Sequence, residues 1–130
     1  MSYLKLCSVI PALIIGALSI VQAAHAGKAG PIAKDYPVKQ ISPSTYVIEG
    51  PLATPNPENQ GFMNNPAFII GDAGIIVVDA GSTVQVGEML LEKIRGISAL
   101  PVVATFSTHI HGDHWLGNQA IAEAYPDAIH

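Results

Sequence analysis

The chain has a single cysteine, Cys7, among its 130 residues. One thiol cannot form a disulfide with its own chain. The scarcity of cysteine also argues against a closed structural zinc site, because those favour several thiolates. Charge is sparse as well: Asp, Glu, Lys and Arg make up 12% of the residues, and no basic run occurs. Without a basic stripe, or basic residues interleaved with aromatics, nucleic acid is not an expected partner. Repeats and low-complexity tracts are absent, which excludes a solenoid.

The first long feature is a hydrophobic stretch. Lys5 gives a short basic start, Leu6 to Val21 is almost uninterrupted apolar sequence, and Ala24-His25-Ala26 supplies a small-x-small pattern. These three features predict a signal peptide over residues 1–26. A transmembrane anchor is the competing reading, but the run falls short of the roughly 20 apolar residues a span needs. Cys7 has no small residues before it, so lipid attachment is not expected there. Cleavage after Ala26 removes Cys7 and leaves ten acidic against five basic residues, a net charge of −5. A periplasmic or secreted soluble product, free of the membrane after cleavage, is the expected form.

Residues 27–37 read as a leader ahead of the fold. Val38 to Ile41 and Tyr46 to Ile48, separated by Ser42-Pro43-Ser44, predict a hairpin. Gly50 to Asn65 is rich in proline and asparagine and predicts a loop long enough to cover a cleft, with no residue that declares a role. Ala67–Ile70 and Ile75–Val78 flank Gly71-Asp72-Ala73-Gly74 as a second hairpin. Their continuous apolar character predicts strands covered on both faces.

Ser82 with Gln85 has the form of a capping box, and Val86, Leu90 and Ile94 follow at four-residue spacing, predicting an amphipathic helix ended by Gly96. Pro101–Phe106 is the next strand. Strand, helix, strand in this order predicts a right-handed crossover between parallel strands. Leu116 to Ala124 predicts a second helix, and Ala128-Ile129 the opening of another strand.

Directly after the Pro101–Phe106 strand comes Thr108-His109-Ile110-His111-Gly112-Asp113-His114. Three of the chain's five histidines and a carboxylate fall within six residues, at the strand end where open α/β sheets keep their chemistry. Imidazole and carboxylate suit a catalytic zinc ion. In extended chain, residues two apart point the same way, so His109 and His111 can share one ion. Asp113 and His114, beyond the turn at Gly112, can face a second ion, and paired metals form a clamp for hydrolysis. The competing reading is a polar loop whose histidines capture adventitious metal. His25 leaves with the signal peptide, and His130 has no ligand neighbour in sequence. Trp115 reads as core packing more readily than as pocket lining.

His109-x-His111-x-Asp113-His114, with Thr108 before it and Trp115-Leu116-Gly117-Asn118 after it, resembles the signature of the metallo-β-lactamase-fold hydrolases. Ile76-Val77-Val78-Asp79-Ala80-Gly81 is similar to that family's Asp-containing turn between a buried strand and a helix. Asn65–Gly71 and His111–Asn118 are similar to exported members of uncertain substrate, some of which accompany quinoprotein or sulfur-oxidation systems.

The resemblance implies an α/β fold in which residues 38–130 form the N-terminal half of a four-layer αββα sandwich. It implies that His109 and His111 bind a first zinc, that Asp113 and His114 serve a second, and that Asp113 also handles a proton as a catalytic residue. Iron or manganese is compatible with the same site. Asp79 would support the metal loop through hydrogen bonds, although a turn-forming role accounts for it equally well.

The implied activity is hydrolysis of a small molecule, with metal-bound hydroxide attacking an ester, amide or β-lactam, thioester or related bond. That family's remaining ligands lie well downstream of this motif, and the chain ends 16 residues after His114. The expectation is therefore the front part of a longer protein, or a truncated product, with little activity alone. A non-catalytic secreted fragment that binds metal or a partner is the alternative.

Overall fold

Five short strands pair in chain order, and only the last pair is parallel. In a computed structural model describing residues 29–130, β1 (Val38–Gln40), β2 (Thr45–Ile48), β3 (Ala67–Ile70) and β4 (Ile75–Val78) run antiparallel. The expected signal peptide, with Cys7 and His25, lies outside the described residues. From β4 the chain passes through α1 (Val84–Arg95) and returns as β5 (Val102–Phe106), parallel to β4. The β-branched runs and the Gly71–Gly74 turn account for the β3–β4 hairpin: Gly71 N–H donates to the Gly74 carbonyl at 2.9 Å.

Helix α1 starts one residue later than the capping-box reading implied. Thr83 is the N-cap, and its hydroxyl accepts from Val86 N–H at 3.2 Å. The Ser82 hydroxyl instead donates to the Gly61 carbonyl at 2.5 Å, tying the helix start to the long loop. Val86, Leu90 and Ile94 are buried along one face, joined by Met89 and Leu91. They pack with Ile48, Phe68, Ile75 and Val77 from the sheet and Ile121 from α3 (Asn118–Ala124).

The single helix expected over Leu116–Ala124 is two: α2 (Gly112–Trp115) and α3, with Gly117 between them. Gly117 and Gly87 allow α3 to lie close. A Cβ on Gly117 would sit 2.3 Å from the Ala80 carbonyl oxygen, and one on Gly87 would sit 2.4 Å from the Gly117 carbonyl oxygen. Beyond α3, Ile129 makes only an isolated parallel bridge to Ala104, not a full strand.

Two expectations change. Among the described residues the sheet is covered on one face only. Phe68, Ile75 and Val77 are fully buried beneath the helices, whereas their neighbours Ile69 and Ile76 are 37% and 40% exposed. An unbroken apolar run records that both faces are hydrophobic, not that both have a cover in hand. One sheet with one helical layer is half of a four-layer sandwich.

The stretch expected to precede the fold also packs into it. Tyr36 is buried edge-on against Phe62, with ring centroids 4.7 Å apart, and Ile32 packs on the same core. Gln60 grips this segment by accepting from Ala33 N–H at 2.5 Å and donating to the Pro31 carbonyl at 3.0 Å. Lys93 of α1 pairs with Asp35. No helix among the described residues is long and apolar enough to cross a membrane.

Candidate metal centre

Because β4 and β5 are parallel neighbours, their carboxyl ends open side by side, and the chemistry-bearing residues leave from both. Asp79 follows β4. Its backbone N–H still donates to the Phe106 carbonyl at 2.9 Å, and its own φ is 53°. That left-handed conformation is uncommon outside glycine, although Asp and Asn tolerate it best. It is held from the loop side, where the Asn64 amide donates to the Asp79 carbonyl at 3.0 Å with both residues buried.

The Asp79 carboxylate reaches across to the segment after β5. Oδ1 accepts from Thr108 N–H at 2.8 Å, and Oδ2 accepts from the Thr108 hydroxyl at 2.8 Å. Oδ2 also lies 2.7 Å from His114 Nδ1. Burial pushes the Asp79 carboxyl upward. The Thr108 N–H, the His114 ring and the Thr108 hydroxyl together outweigh it and leave the group below its ordinary value. Asp79 therefore both forms the turn and ties the histidine segment to β4. Thr108, a further contributor, had as its only signal a hydroxyl placed directly before the histidine run.

His109 and His111 come together, with Nε2 of the first 3.2 Å from Nδ1 of the second. Gly112 opens α2, which carries Asp113 and His114, and His114 Nε2 lies 3.3 Å from Asp113 Oδ2. The His109 and His114 rings are 4.0 Å apart at their centroids, so the two pairs are contiguous. Tetrahedral zinc with Zn–N bonds of about 2.0–2.1 Å sets its ligand atoms about 3.3 Å apart. The spacing within each pair suits a two-atom bite on such an ion, and so does the chemistry of the donors. Among the described residues, however, no three His, Cys, Asp or Glu side chains are gathered into one metal-ready group.

Trp115 is not core. It is 43% exposed, and its indole N–H donates to the Ile110 carbonyl at 2.9 Å, bracing the histidine segment. His130 contacts Thr105 at the sheet edge, with its Nδ1 3.1 Å from the hydroxyl, away from these four residues. A cleft of about 310 Å³ adjoins Asp113, lined by Met63 of the long loop, Thr83 at the head of α1, and Leu116. A larger hollow of about 400 Å³ lies at the opposite end of β5, around Pro101 and Tyr125.

Comparison with known proteins agrees with this geometry. No curated protein matches the chain. A solved structure of a double mutant of the sec-alkyl sulfatase PisA1 superposes with a TM-score of 0.55 at 21% identity, over 72% of this chain. The chain spans only 14% of that protein, so the likeness concerns the fold. The profile of the metallo-beta-lactamase superfamily matches residues 59–130, from the long loop through β4, the Asp79 turn and the whole histidine segment. A match over more than half of the sequence, on a fold of the same kind, makes this chain a member of the metallo-beta-lactamase superfamily.

Proposed function

We propose that the chain carries the first part of the active centre of an exported, zinc-dependent hydrolase acting on a small molecule. The observation behind this reading is that four donor side chains, His109, His111, Asp113 and His114, occupy one end of the β4–β5 pair. They are held there by a buried carboxylate. His109 and His111 would hold one ion, and Asp113 and His114 a second. Zinc, when bound, supplies Lewis-acid polarisation of the scissile bond and a nucleophile at neutral pH.

The chain's own residues do the rest. Asp79 accepts from His114 Nδ1–H, so the neutral ring keeps the Nε2 lone pair, beside Asp113, for an ion. Thr108 holds the backbone before His109 in register with β4. Asp113, half-buried beside the cleft, is positioned to take up a proton at Oδ2. Substrates of this centre would be esters, amides including β-lactams, thioesters or related bonds.

A zinc titration of the 130-residue chain beside its His111→Ala variant tests the assignment. Loss of one bound equivalent in the variant is the expected result, and unchanged stoichiometry overturns it. A non-catalytic metal-binding fragment is the second reading, supported by the pairwise arrangement of the donors. Turnover of a chromogenic ester or β-lactam by a form of the protein that continues past His130 separates the two. Zinc-dependent turnover there supports the hydrolase, and metal uptake without it supports the fragment.

A further inference from the structure

The cleft beside Asp113 has walls that differ chemically from the metal-facing end. Pro55 and Met63 of the long loop and Leu116 supply its apolar lining. Leu116 is 46% exposed and has no apolar cover of its own. Of the two hydroxyls in the lining, Ser82 donates to the Gly61 carbonyl, while Thr83 accepts from Val86 N–H and offers only its own O–H. Asp113 directs Oδ2 toward His114. No lysine or arginine lines the cleft, so nothing there neutralises an anion, and the one carboxylate repels it.

We infer that this cleft is a specificity subsite for an uncharged aliphatic group of the substrate, with Met63 and Leu116 as the residues that select it. This deepens the proposed function and rests on it for the position of the scissile bond. The binding preference itself requires no metal. Unbranched Met adapts its shape to the group it meets, which suits a range of chain lengths and branching. Asp113, the one lining residue in contact with His114, would set the side on which the substrate's reactive group lies.

The test uses the full chain with ¹³C-methyl-labelled Met and Leu, titrated with 1-propanol, 1-butanol and 1-pentanol, and separately with pentane-1-sulfonate. Saturable shifts at the Met63 and Leu116 methyls are expected. Affinity should rise about three- to fourfold per added methylene, and the sulfonate should bind at least tenfold more weakly than 1-pentanol. Met63→Gln and Leu116→Gln, similar in volume and at non-core positions, should each weaken pentanol binding while thermal unfolding stays unchanged. Methyls that do not respond overturn the inference, as does a sulfonate that binds as tightly as the alcohol. Failure of the zinc titration alongside intact alcohol binding would instead count against the hydrolase reading alone.

Discussion

Asp79 holds Thr108 with both carboxylate oxygens, one on the backbone N–H and one on the hydroxyl, each at 2.8 Å. The two residues follow adjacent parallel strands and lie 29 positions apart in sequence. This clasp joins the end of β4 to the segment that presents His109. With the contact to His114 Nδ1, one buried side chain orients both ends of the histidine run.

Removing that clasp should cost metal before it costs fold. Asp79→Ala leaves the His114 ring without its acceptor and frees the Thr108 backbone. Zinc affinity is expected to fall by about 10- to 100-fold, the usual scale for a supporting hydrogen bond behind a ligand. Competition titration with a chromogenic chelator measures this directly. Equal affinities would show that the histidine segment is set by its own backbone.

Asp79 also predicts an acid limit to stability. Its carboxyl lies below the ordinary aspartate value of about 3.9. The stabilisation it provides is therefore fully present above that value and is lost as pH falls through its lower folded-state value. Urea midpoints measured from pH 6 downward should fall at the acid end for the parent chain and flatten in Asp79→Asn. Parallel profiles would assign the acid sensitivity to other carboxylates.

Gly117→Ala should be disproportionately harmful for so small a change. The added methyl would meet the Ala80 carbonyl at 2.3 Å, in backbone next to Asp79 and Gly81. A cost of about 1–3 kcal/mol is expected from overpacking, read as a lower urea midpoint with an unchanged denaturant slope. An unaltered midpoint would mean that α3 slides away without penalty.

Phe62→Ala tests the loop as part of the core. Phe62 is fully buried and packs against Tyr36, so truncation should cost about 3–5 kcal/mol. Proteolysis at 29–37 should accelerate in parallel, because Tyr36 loses its partner. Unchanged cleavage would indicate that the segment is held by Gln60 and Lys93 instead.

The open sheet face makes a further prediction. Ile69 and Ile76 are cross-strand partners on that face, and Phe106, 60% exposed, pairs with Val78, two residues along β4 from Ile76. The chain should bind a hydrophobic dye such as ANS, and Ile76→Thr should reduce that binding while retaining β-propensity. A parent chain that binds no dye would show that the face is covered in solution.

Much of this architecture was legible in the residues themselves. Short β-branched runs bounded by turn residues marked β1 through β5 within a residue or so, and the four-residue spacing of Val86, Leu90 and Ile94 marked the buried face of α1. What was not legible depended on partners distant in sequence. Phe62 looked like one apolar residue in a polar loop until Tyr36 met it. Asn64 was one asparagine among several until its amide reached the Asp79 carbonyl. The cap is Thr83, one residue past the Ser82 of the capping pattern, and the Ser82 hydroxyl instead meets the Gly61 carbonyl, a partner outside that pattern. The same limit applies at the site. Alternation along an extended chain brings His109 and His111 together, but the contact of His114 with the Asp79 carboxylate joins residues too far apart in sequence for any local pattern to encode.

Trp115, the chain's sole indole, is pinned by its N–H to the carbonyl of Ile110, the residue between His109 and His111. The protein thus carries an intrinsic fluorophore beside its imidazoles. Its emission should report the seating of that loop, and any ion that quenches it, without a label or an added chromophore.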